Sequence, residues 1–226
     1  MSPRIVERPS PNCDARLAGA GVDMLVLHYT GMRTAEEALA RLTDPAARVS
    51  AHYTVDRDGG VFRHVPEEMR AWHAGVSYWA GARDVNGRSI GIELVNPGHE
   101  FGYVPFTEAQ IGALIDLCAG IFARHPIPPA RVVGHSDVAP ARKQDPGELF
   151  PWAPLSEYGI GLWPRMDVLD EPFERALARF GYGVLPEAGV PLETVIRAFQ
   201  RHFRPACIDG IADAECARLL AGLLAG

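Results

Sequence analysis

Two runs in this chain leave the backbone little choice. Val22-Asp-Met-Leu-Val-Leu27 and Ser89-Ile-Gly-Ile-Glu-Leu-Val95 are apolar on both alternating faces, with single polar interruptions. A strand with one wet face alternates apolar and polar residues, so a run that is apolar on both faces belongs at the centre of a covered sheet. Helices stand between these runs. Thr34 and Glu37 have the Thr-x-x-Glu spacing of a capping box and open an amphipathic helix to about residue 42; Thr107 with Gln110 opens a longer one to about residue 124. The segment from His52 to His64 predicts a hairpin turning at Asp58-Gly59, and Arg131-Val-Val-Gly134 a further short strand. The fold class expected is α/β, a mixed central β-sheet flanked by helices.

A Pro-, Trp- and Gly-rich stretch, 151–164, separates this pattern from three short amphipathic segments at about 172–180, 192–203 and 213–223. The boundary is placed near Met166. That predicts residues 1–166 as one domain and 167–226 as a small three-helix module.

A chain of 226 residues suffices for one ordinary core plus such an appendage. Its net charge of −6 argues against nucleic acid or an anionic membrane surface as partner, since both favour a basic face. No apolar run reaches the ~18 residues of a membrane span, and the N-terminal residues lack the apolar core of a signal peptide. A cytoplasmic location is therefore expected; a chain trimmed of a leader would belong in the periplasm. Cys13, Cys118, Cys207 and Cys216 show no C-x-x-C pairing, which disfavours a thiolate metal site. Cys118 lies on the apolar stripe of the long helix and is expected in the core.

The chemistry concentrates at strand ends. His28 closes the first buried run, where open α/β sheets place their ligand sites. His135 follows the short strand that ends at Gly134, and Lys143-Gln-Asp145-Pro lies just beyond it. Pro146 pushes Asp145 toward an extended backbone, so Lys143 and Asp145, two apart, should face one site. His28, His135 and Asp145 are three ligands of types suited to zinc, with a fourth position left for water. Any one of them alone would more often be a hydrogen-bonded structural residue. Glu93 sits within an apolar strand, where an unpaired carboxylate costs several kcal/mol or takes up a proton. It reads either as a general base beside a metal-activated water or as half of a buried ion pair. Lys143 would stabilise the oxyanion formed when water attacks an amide carbonyl.

His28-Tyr-Thr, Ser50-Ala-His-Tyr-Thr-Val-Asp56, Ala71-Trp-His-Ala-Gly75, Ser89-Ile-Gly-Ile-Glu-Leu-Val-Asn96 and Gly134-His-Ser-Asp-Val…Lys143-x-Asp145-Pro occur in this order. Together they resemble the zinc-dependent N-acetylmuramoyl-L-alanine amidases of the type 2 family (AmiD/AmpD-like), relatives of the peptidoglycan recognition proteins. The resemblance runs from about residue 20 to 164. It implies cleavage of the amide between N-acetylmuramic acid, including its 1,6-anhydro form, and L-alanine of the stem peptide. It also implies Zn2+ on His28, His135 and Asp145, with Glu93 as base and Lys143 as electrophile. Muropeptides or peptidoglycan would be the partners. His73 and Tyr29, within family motifs, are candidate substrate contacts, as are Arg88 and Asn96, which flank the Glu93 strand. His52 is expected to make a structural hydrogen bond; His64, His99, His125 and His202 are expected on the surface or in packing. The tail is similar to a three-helix peptidoglycan-binding module whose glycine-rich approach, 185–194, is degenerate. The alternative within this resemblance is a recognition protein that grips muropeptides without cutting them.

Overall fold

The computed structural model describes residues 5–17, 19, 21–184 and 189–225. The first four residues of the degenerate approach, 185–188, lie outside them. The strands are β1 (Ile5–Glu7), β2 (Cys13–Ala15), β3 (Met24–Tyr29), β4 (Tyr53–Val55), β5 (Val61–Arg63), β6 (Met69–Ala71), β7 (Ser89–Leu94) and β8 (Val132–Gly134). The helices are α1 (Ala35–Thr43), α2 (Val85–Arg88), α3 (Gly98–Phe101), α4 (Glu108–Arg124), α5 (His135–Val138), α6 (Trp152–Ser156), α7 (Phe173–Phe180), α8 (Leu192–Phe203) and α9 (Ala214–Ala225).

Six strands form one mixed sheet in the order β1-β5-β4-β7-β3-β8, with β2 and β6 making a separate antiparallel pair. All neighbours in the large sheet run parallel except the β4–β5 hairpin. Both apolar runs lie at its centre, β3 between β7 and β8. The predicted caps are made: Thr34 Oγ1 accepts from the Glu37 amide and Thr107 Oγ1 from the Gln110 amide. Gly59 supplies the positive φ (+88°) that the hairpin turn needs.

Alternation along β3 assigns its two faces. Leu25 and Leu27 join Ile90, Ile92 and Leu94 under Leu114, Cys118 and Ile121 of α4. Met24 and Val26 face the opposite way and share a core with Leu177, Val195, Phe199, Phe203 and Leu220 of α7, α8 and α9. The C-terminal helices therefore cover a face of the central sheet, and side chains on both sides of residue 166 form one apolar cluster. Each large aliphatic or aromatic side chain buried there contributes ~1.5–3 kcal/mol. The cysteines are free: Cys118 and Cys216 are buried and Cys207 is exposed. Among the described residues no helix is long and apolar enough to cross a membrane.

Candidate active site

Parallel pairing of β3 with β7 sets His28 directly beside Glu93. Because Ile90, Ile92 and Leu94 point to the α4 face, Ser89, Gly91 and Glu93 point to the other, the face that Met24, Val26 and His28 share. The next strand, β8, ends at Gly134, so His135 opens α5 at the same carboxyl edge of the sheet. The Ser136 amide donates to the Asp145 carbonyl at 2.8 Å, folding the Lys143–Asp145 loop back onto α5. Asp137 braces this turn. Its carboxylate accepts from the Gly134 amide, Tyr182 Oη and His202 Nδ1, each at 2.7 Å, so the C-terminal helices hold the segment that carries His135.

Three donor atoms converge here. His28 Nδ1 and His135 Nδ1 are 2.9 Å apart, and Asp145 Oδ2 lies 3.1 and 3.0 Å from them. All three residues are buried. His135 Nε2 donates to the Ala74 carbonyl at 3.2 Å, which leaves Nδ1 of a neutral ring with its lone pair facing the cluster. Burial would raise the carboxyl of Asp145, but His135 and His28 outweigh it and hold the group well below the usual range. Burial and then His135 push His28 down to about 4, against the opposing pull of Asp145. An ionised carboxylate and two imidazole nitrogens, about 3 Å apart and shielded from water, fit a small divalent cation. Tetrahedral ligands 2.0–2.1 Å from zinc are separated by roughly 3.3 Å. The set is the one metal-ligating group of its kind among the described residues.

The cluster opens into a cleft of about 830 Å³ lined by Tyr29, Trp72, His73, Glu93, His99, Arg142, Lys143 and Asp145, among others. Lys143 and Asp145 thus face one site, as their spacing requires. Glu93 Oε2 is buried with no hydrogen-bond partner among the described residues. Burial, then the charge of Asp145, raises this carboxyl well above its ordinary value, with Lys143 opposing. No salt bridge satisfies it among the described residues, so the second reading of Glu93, as half of a buried ion pair, does not describe this site.

The four candidate substrate contacts divide. Tyr29 and His73 line the cleft, whereas Arg88 and Asn96 do not. Arg88 precedes β7 and donates through Nε to Asp23 at 2.7 Å, at the opposite end of the sheet. Five residues of strand, about 16 Å, separate it from Glu93. Asn96 is fully buried; its Nδ2 donates to the Val104 carbonyl and its Oδ1 accepts from the Gly98 amide, closing the loop after β7. His52 makes the expected structural bond, with Nδ1 accepting from the Gly91 amide at 2.9 Å. His202 packs between the rings of Trp152 and Phe203. His99, read from sequence as a surface or packing residue, lines the cleft. It pairs with Tyr29 Oη at 2.8 Å, while its Nε2 donates to Glu148 at 3.0 Å. The signal for it was position: it follows β7 by a short loop at the carboxyl edge, where such folds place ligands.

An α/β sheet with a buried His-His-Asp cluster and an unpaired glutamate at its carboxyl edge describes a hydrolase of the metal-assisted class. The profile of the N-acetylmuramoyl-L-alanine amidase family matches residues 18–148, and the chain belongs to that family. It is 42% identical to N-acetylmuramoyl-L-alanine amidase AmiD of Escherichia coli K12, over 97% of this chain and 90% of that protein. It is 36% identical to 1,6-anhydro-N-acetylmuramyl-L-alanine amidase AmpD of Enterobacter cloacae, over 64% of this chain and 84% of that one. Among solved structures, it matches E. coli AmiD in complex with anhydro-N-acetylmuramic acid-L-Ala-D-γ-Glu-L-Lys. The TM-score is 0.80 at 41% identity, covering 90% of this chain and 89% of that one. AmpDh3 of Pseudomonas aeruginosa in complex with anhydromuramic pentapeptide matches with a TM-score of 0.76 at 36% identity, covering 89% and 90%.

Proposed function

We propose that this chain hydrolyses the amide between N-acetylmuramic acid and the L-alanine of peptidoglycan stem peptides, with zinc held by His28, His135 and Asp145. The convergence of those three donor atoms at the foot of the cleft is the observation that carries the reading. The anhydromuramyl peptides bound in the AmiD and AmpDh3 complexes support an anhydromuramyl peptide as substrate. Bound zinc supplies Lewis acidity, acidifying water and polarising a carbonyl. Glu93 takes a proton from the attacking water and passes it to the leaving amide nitrogen, a task suited to a buried carboxyl with a raised pKa. The Lys143 ammonium, at the cleft wall, stabilises the oxyanion developing on the carbonyl oxygen. Asp145, ionised, keeps negative charge in the ligand set. Tyr29 and His99 form one wall against which substrate is oriented.

The division into a catalytic part, 1–166, and a three-helix part, 167–226, is proposed with a supporting role for the latter. The shared core and the Asp137 brace favour that role over an independently docking module. A recognition-only protein would gain nothing from an unpaired Glu93 next to a complete ligand set. The deciding assay is mass spectrometry of 1,6-anhydro-N-acetylmuramyl-tripeptide incubated with the protein, with and without a chelator. Chelator-sensitive release of free peptide and anhydro-sugar is expected. Intact substrate after incubation with zinc-loaded protein overturns the reading.

A further inference from the structure

His73 lies over β7, and its surroundings give it a direction. Gly91, between Ser89 and Glu93 on the same face of the strand, makes room for the ring: a Cβ there would fall 2.4 Å from His73 Cγ. On one side His73 Nδ1 lies 3.1 Å from His28 Nε2, and on the other its Nε2 lies 3.2 Å from Ser89 Oγ. Ser89 Oγ in turn donates to the Val85 carbonyl at 2.6 Å. All three side chains are buried.

The protons can be assigned from the far end. A carbonyl oxygen only accepts, so the single hydroxyl hydrogen of Ser89 is spent on Val85. Ser89 Oγ can then only accept from His73, which places the hydrogen of the neutral His73 ring on Nε2. His73 Nδ1 is left with a lone pair and can only accept from His28 Nε2–H. Neutral His28 then has its own lone pair on Nδ1, the atom facing His135 Nδ1 and Asp145 Oδ2. We infer that Val85, Ser89 and His73 form a hydrogen-bond relay that fixes His28 in its metal-binding tautomer, which makes His73 a positioning residue rather than a substrate contact. The inference rests on the metal-site reading of His28, His135 and Asp145. It explains why the histidine that lines the base of the cleft is tied on both sides to protein atoms. It also gives β7 a single face on which Ser89 ends the relay, Gly91 admits the ring and Glu93 meets the substrate.

The relay predicts a contrast between two substitutions of similar size. In His73→Asn the side-chain oxygen falls near the position of Nδ1 and can still accept from His28; in His73→Leu nothing can. Zinc affinity, measured by chelator competition on folded protein, is expected to fall about 10- to 100-fold in His73→Leu, the usual scale for losing a partner of a ligating histidine. It should stay within a few-fold of wild type in His73→Asn. Ser89→Ala, a smaller change to the core, is expected to weaken zinc as well, because the Nε2–H of His73 loses its acceptor. Two-bond 1H–15N correlation spectra of the metal-free wild type at pH 7.5 should show His28 and His73 as Nε2–H tautomers. An Nδ1–H tautomer at His28, or equal loss of affinity in the leucine and asparagine variants, overturns the relay. Wild type that binds no zinc overturns the metal reading instead, and the tautomer spectra then decide the relay independently.

Discussion

The adjacent strands β7, β3 and β8 carry ionisable residues at both ends and treat them in opposite ways. At the amino end Asp23 stands between Arg88 and Arg131, accepting from both, and all three side chains are half-exposed. At the carboxyl end His28, His135 and Asp145 are buried together, and beside them Glu93 Oε2 is shielded from water with no partner among the described residues. The amino end is a partly exposed ion cluster of the kind that contributes little to stability. The carboxyl end gathers two carboxyl groups and two imidazoles around a cleft, with three donor atoms placed to take up a cation. Buried groups left unsatisfied in a cleft mark the place where a fold gives up stability for chemistry.

The sharpest way to break this contrast is to remove a ligand. Asp145→Ala is expected to lose stoichiometric zinc, read by metal analysis of the purified protein, and to bring hydrolysis to background. Glu93→Ala should keep its zinc and lose at least about 100-fold in turnover, the scale of a general-base contribution. Near wild-type rates in that variant would remove Glu93 from the mechanism.

A third test uses pH. Burial, then Asp145, raises the Glu93 carboxyl in the native state, so between the unfolded value near 4.3 and the native one the folded chain binds more protons than the unfolded chain. Its contribution to stability is therefore fully present at low pH and is lost as pH rises through that window. Glu93→Gln should raise the Tm of the metal-free protein at pH 7.5 by a few degrees, the scale of about 1 kcal/mol in a chain of this size, and the gain should vanish near pH 4. The smallest effect belongs to the amino end. Asp23→Asn is expected to cost about 1 kcal/mol or less by denaturant unfolding and to leave turnover unchanged.

The elements that carry long patterns were legible in the sequence. The helix expected at 192–203 is α8 with those bounds, and the two caps predicted at Thr34 and Thr107 are made. β1, β2 and β6 were not foreseen. Each has three residues, too few to show a period, and each exists because a partner strand offers its hydrogen bonds. The site divided along the same line. His28 and Glu93 announced themselves as polar residues in or ending apolar strands. Arg88 and Asn96 lie away from the cleft lining; nearness to Glu93 along a strand says nothing about which end of the sheet or which side of a loop a side chain occupies.

By itself, the sequence determined a central covered sheet, the helices packed on it, and the residue types able to hold a metal and move a proton at its carboxyl edge. These are short-range properties, set by alternation, caps and strand ends within windows of a few residues. Only the tertiary structure decided that donor atoms 107 and 117 residues apart meet within about 3 Å, and that His99 belongs to the cleft. It also decided that His73 faces Ser89 and His28, and that the last helices brace the turn carrying His135. Those facts depend on strand order and register, which form between segments distant in the chain and leave no local period to read.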